Sequence, residues 1–131
     1  MSAKFYDQNN NKNPRNGTIL ADGKAAKALL RTAVAETSFV ELASSSETKL
    51  LIGLGPEICS AQFSSLNGEP PYLFAKLQSE SKREGVAEFV IGVEPTEILR
   101  RLCIPYSVLL EVAAYFVETG ERSSIVEWEE V

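Results

Sequence analysis

The sequence predicts an α+β fold, a twisted, mainly antiparallel sheet of about six to seven strands with two helices packed on one face. Two amphipathic stretches at helical spacing stand far apart, one following Asp22 and the other ending at Gly120. Between and around them the apolar pattern shifts to a period of two, in runs separated by short turns. Strands bunched between two separated helices do not suit repeated strand-helix-strand units, in which the two would alternate.

Ala3 to Tyr6 reads as a short edge strand, and Gln8 to Asn16 as an Asn-rich polar loop that is mobile and adds nothing to a core. Thr18 to Leu20 is a brief β-prone run. Asp22 then stands as the N-cap of a helix over about Gly23 to Glu36, with Ala26, Leu29, Leu30, Ala33 and Val34 on its apolar side and Lys24, Lys27 and Arg31 facing solvent. Alternation follows in Phe39 to Leu42. After a turn at Ala43 to Glu47, the apolar run Lys49 to Leu54 suits a central strand. Glu57 to Ser64 places Cys59, Ala61 and Phe63 on a buried face and Ile58, Ser60, Gln62 and Ser64 on a wet one.

Asn67-Gly68 marks a turn, Tyr72 to Leu77 a strand opened by Pro70-Pro71, and Gln78 to Gly85 an exposed loop. Val86 to Val93 is the next strand, and Thr96 to Ile104 is extended because Pro105 disfavours helix before it. The second helix has Leu109, Val112, Ala113 and Phe116 on one face, Ser107 as N-cap, Glu111 complementing its dipole and Gly120 as its stop. A last strand directs Val126 and Trp128 to one side and Ile125, Glu127 and Glu129 to the other. With both helices on one sheet face, the other is left for water or a partner.

At 131 residues and 44% apolar composition, residues 1–131 read as a single domain with one core. No apolar run approaches the ~20 residues that span a bilayer, and MSAKFYDQ lacks a signal-peptide pattern, so a cytoplasmic protein with no membrane partner is expected. Cys59 and Cys103 read as reduced, buried small residues. Charge is unevenly spread: residues 1–36 hold six Lys and Arg against three Asp and Glu, a net of +3, and residues 37–131 hold seven against fifteen, a net of −8. An acidic body repels phosphate backbones and attracts a basic protein, so no direct nucleic-acid binding is expected.

Conventional catalytic equipment is missing. The chain has no histidine, which removes His-based triads, His/Cys zinc sites and the usual proton shuttle at neutral pH. Gly53-Leu54-Gly55-Pro56 lacks the third glycine, the lysine and the following helix of a phosphate loop. The pairs Glu94 with Glu97 and Glu127 with Glu129 come without signs of a pocket, and Glu127, Glu129 and Glu130 on one strand cannot all face one ion. Neither an enzyme, a cofactor nor a metal site is expected. Trp128, beside Val126 on one face, reads as a core anchor, whereas Tyr72 combines a ring and a hydroxyl as interface residues do.

The C-terminal pattern adds a resemblance. Ile104-Pro105, a helix ending in Phe116, Thr119-Gly120, a short turn and Trp128-Glu129-Glu130 together resemble the signature of the first family of bacterial polymorphic-toxin immunity proteins. Ser124 and Leu99 stand where members often carry proline. The resemblance implies a cytosolic inhibitor of a cognate toxin, often a nucleic-acid deaminase or a nuclease, acting by stoichiometric occlusion. A basic toxin of that kind suits an acidic inhibitor. From charge and expected exposure, the candidate toxin contacts are Glu57, Glu69, Glu94, Glu97, Glu127 and Glu129, with Tyr72 as an aromatic anchor. The alternative is a small cytosolic protein- or ligand-binding module unrelated to toxins, using the open sheet face.

Overall fold

The computed structural model describes residues 2–77, 84–91 and 94–131. Asp22 caps the first helix as its sequence requires: its carboxylate accepts from the Ala25 amide at 2.8 Å, starting α1 (Gly23–Ala33). The second helix, α2 (Tyr106–Thr119), stops at Gly120, whose φ of 72° is a left-handed conformation that a side chain disfavours. Its start differs from expectation. Ser107 lies inside the helix and no side chain caps it, because Ile104–Pro105 is already held as a strand against Ile58 and Cys59. The Tyr106 amide donates instead to the Glu57 carbonyl at 3.0 Å. Glu111 falls beyond the first turn and pairs with Lys27 of α1 at 2.5 Å.

Ten strands are described: β1 (Ala3–Asp7), β2 (Ile19–Leu20), β3 (Phe39–Ser44), β4 (Thr48–Gly53), β5 (Ile58–Ser65), β6 (Leu73–Lys76), β7 (Val86–Ile91), β8 (Glu94–Leu99), β9 (Ile104–Pro105) and β10 (Glu127–Glu130). The main sheet runs β10, β6, β5, β4, β3, β1, β2, with β9 on the start of β5, and every described pair is antiparallel. This is the expected α+β class. The chain's last strand thus closes one edge, while β1 is flanked on both sides and is not the edge strand its sequence predicts.

Both helices cover one face. Alternate residues Phe5, Val40, Leu42, Leu50, Ile52, Cys59 and Ala61 meet Ala26 and Leu30 of α1 and Leu109, Val112, Ala113 and Phe116 of α2 in one buried cluster. Trp128 packs at its margin, edge-on to Phe63, and its indole donates to the Ser123 carbonyl at 2.9 Å. That supports the reading of Trp128 as an anchor.

The opposite face is not left open. β7 and β8 do not extend the main sheet; they form a separate hairpin folded back over its far side. Phe89, Ala87 and Ile98 of the hairpin are buried with Phe39, Leu102 and Cys103, against Leu51, Ile58 and Phe74. The expectation of a wet face on β5 also fails, since Ser60 and Ser64 are buried. The apolar residues scattered among polar ones on that side need cover, and the hairpin supplies it. Nor is Thr96 to Ile104 continuously extended: a 3-10 turn at Arg100–Leu102 separates β8 from β9 and brings the chain back to the sheet. The expected strand end at Val93, and residues 78–83 of the expected exposed loop, lie outside the described residues.

The Asn-rich loop is also more than a polar excursion. Asn13 is buried and its amide donates to Asp7 Oδ2 at 2.9 Å. Asn9 Oδ1 accepts from the Ser38 and Phe39 amides at 3.2 and 2.9 Å, and Asn9 Nδ2 donates to the Val90 carbonyl at 2.5 Å. Short Asx hydrogen bonds of this kind let a loop without apolar residues fix its neighbours. Burial alone would raise the Asp7 carboxyl, but donors from Asn13, Thr37 and the backbone outweigh it and the net shift is downward.

Candidate functional site

The acidic positions singled out from the sequence fall in four places. Glu57 is exposed in the turn between β4 and β5, behind Pro56. It shares an open groove with Glu88, Phe89 and Arg100, between that turn and the hairpin. Glu94 and Glu97 are exposed on β8. At the opposite end of β5, Glu69 is exposed in the turn leading to β6. Tyr72, half-buried in the same turn region, donates its hydroxyl to the Gly68 carbonyl. Glu127 and Glu129 lie on the edge strand β10. The seven residues do not form one patch.

They also differ in their ion-pair partners. Arg101 Nη1 donates to both Glu129 oxygens at 2.6 and 2.7 Å, and Lys76 Nζ reaches the same carboxylate at 3.1 Å. The Arg101 hydrogen bond, then that from Lys76, holds the Glu129 carboxyl down at about 2. Two cations already answer this charge, so its negative field is largely cancelled from within. Among the described residues, no ion pair engages Glu57, Glu69, Glu94, Glu97 or Glu127. These carboxylates present their charge outward.

The hairpin adds residues that the sequence reading passed over. Its register sets Val86 opposite Leu99, Glu88 opposite Glu97 and Val90 opposite Pro95, and all six are exposed. Alternation within Val86 to Val90 contains the signal: Ala87 and Phe89 turn inward, so Val86, Glu88 and Val90 must turn outward. The hairpin is held at three levels. Val90 exchanges hydrogen bonds with the Ser38 hydroxyl at 2.8 and 3.1 Å. The Phe89 ring lies on Gly53, where a Cβ would come within 2.9 Å of it. The Arg100 amide donates to the Gly85 carbonyl at 3.0 Å, and Arg100 Nε to the Val86 carbonyl at 3.2 Å.

Asp7 and Glu129 are both held below the ordinary carboxylate range by the hydrogen bonds they accept. Among the described residues no three His, Cys, Asp or Glu side chains converge on a possible metal site, and no helix is long and apolar enough to cross a membrane. What the surface offers is outward negative charge beside exposed apolar side chains on a braced scaffold. That combination belongs to proteins that recognise other proteins.

The comparison with known families agrees with this class. A family model described as immunity protein Imm1 matches residues 22–130, and the chain belongs to that family. It is therefore an immunity protein of the polymorphic-toxin type, with a cognate toxin as its partner. No curated protein matches the chain. The match begins at the Asp22 cap and leaves β1, the Asn-rich loop and β2 outside it.

Proposed function

We propose that this protein neutralises a basic, nucleic-acid-acting toxin, a deaminase or a nuclease, by stoichiometric occlusion in the cytoplasm and without turnover of its own. The observation that carries the reading is the set of exposed carboxylates with no ion-pair partner among the described residues, Glu57, Glu69, Glu94, Glu97 and Glu127, on a body whose residues 37–131 have a net charge of −8. A toxin that grips a phosphate backbone presents Lys and Arg around its active site, and fixed carboxylates can occupy that ground. The acting unit is the whole of residues 1–131, because β1 pairs along β3 and Asn9 reaches the hairpin. Tyr72 contributes its ring face to the contact, its hydroxyl being satisfied within its own turn.

The test is a titration. The toxin domain encoded by the neighbouring gene, assayed on single- and double-stranded substrates, is mixed with increasing inhibitor. Loss of activity that ends at one inhibitor per toxin, with affinity falling as salt rises, is the expected result. Absence of a complex at low salt would overturn the proposal and leave the unrelated binding module as the better account.

A further inference from the structure

The hairpin that covers the far side of the sheet exposes an outer face of its own, and that face has an unusual composition. Glu88 and Glu97 are direct cross-strand partners. Like charges opposite one another on a sheet destabilise it. Among the described residues no cation pairs with either. On one side of them lie Val86 and Leu99, 41% and 46% exposed, and on the other Val90, 39% exposed, beside Pro95. Three of the large exposed apolar side chains of the protein are therefore gathered around one carboxylate pair that no cation among the described residues answers. A surface that only needed solubility would not place them together.

Resting on the immunity reading, the geometry points to the outer face of the β7–β8 hairpin as the toxin-docking surface, with Glu88 and Glu97 receiving one toxin arginine between the apolar pairs Val86/Leu99 and Val90/Pro95. Arginine fits better than lysine. Its planar guanidinium offers donors in several directions, so it can bridge two carboxylates facing each other across strands, and its weakly hydrated faces tolerate apolar walls. The occupant is thus a basic, partly apolar protein surface, for which the hairpin is electrostatically complementary. The scaffold beneath is suited to this task. Phe89 on Gly53 and Val90 on Ser38 fix the strands, so little ordering is required on binding.

The arrangement gives the test an uncommon signature. In the free protein Glu97→Gln relieves the repulsion from Glu88, so its melting temperature rises or holds; in the complex the same change removes half of the arginine's receptor. The experiment measures Tm of the free protein and Kd for the toxin domain encoded by the neighbouring gene, for E88Q, E97Q, L99S and the control E121Q. Expected are affinity losses of about tenfold or more for E88Q and E97Q without loss of Tm, a smaller loss for L99S, and no change for E121Q, which lies after α2 on the helix side. Unchanged affinity in E88Q and E97Q, with wild-type protein still inhibiting the toxin, would overturn the hairpin surface and leave the immunity reading standing. Failure of wild-type protein to bind at all would overturn both.

Discussion

The two faces of the main sheet are covered in different ways. On one, two helices of 11 and 14 residues bury a continuous apolar layer from Phe5 to Phe116. On the other, a single hairpin rests on a small cluster around Phe39 and Phe89 and is pinned at its ends by hydrogen bonds. The helix layer carries an ion pair between its two helices, Lys27 with Glu111. The hairpin points carboxylates and apolar side chains outward that nothing among the described residues answers. The larger buried core lies on the first face, and the second is the one we propose for recognition.

If that division is right, substitutions should sort by face. Phe116→Ala empties the helix-side core, where the ring also meets Phe63 edge-on at 6.1 Å, and should cost about 3–5 kcal/mol in chemical denaturation of the whole protein. Phe89→Ala removes a ring as well buried, yet the hairpin can come away locally, so the global loss should be smaller and amide exchange should speed up in β7 and β8 first. Equal global losses for the two would break the comparison. Gly53→Val sharpens it, because the new Cβ must displace the Phe89 ring and the Ser60 hydroxyl; about 1–3 kcal/mol is expected, again with hairpin amides affected before helix amides.

Smaller effects follow at the hairpin's ends. Asn9→Ala leaves the Ser38 amide without its acceptor, leaves the Phe39 amide only the longer contact to the Thr37 hydroxyl at 3.5 Å, and releases the Val90 carbonyl, a loss of about 1–2 kcal/mol with faster exchange near Val90. At the other end Glu129 gives a pH signature. Its carboxyl is held at about 2 against an ordinary 4.5, so its contribution is present above about pH 4.5 and is lost as pH falls through about 2. Glu129→Gln should lower stability at neutral pH and flatten the profile in that acid window, so that variant and wild type converge toward pH 2; an unchanged acid profile would show that the Arg101 contact does not persist in solution.

Much of this was legible in the sequence. The Asp22 cap, the Gly120 stop, the inward Val126 and the anchor at Trp128 each rest on local rules of spacing or backbone conformation, and local rules read directly from residues. The fate of Val86 to Leu99 was not local. A strand pattern looks the same whether the strand extends a sheet or folds over it, and the deciding partners, Phe39, Gly53 and Ser38, lie far away in sequence. The candidate site shows the same limit. Glu97 and Glu129 are equally acidic on paper, and only the return of Arg101 and Lys76 to β10 separates a cancelled carboxylate from one that faces outward. Glu88 was readable as an outward position, but not as the partner of Glu97.

The measurement that tests the central claim most directly is carboxyl footprinting of the protein alone and bound to its toxin domain, read by mass spectrometry at each glutamate. The account predicts that Glu88 and Glu97 lose reactivity on binding while Glu121, on the helix side, keeps its own. Protection at Glu121 with Glu88 and Glu97 unchanged would place recognition on the helix face and contradict the division of labour between the two faces.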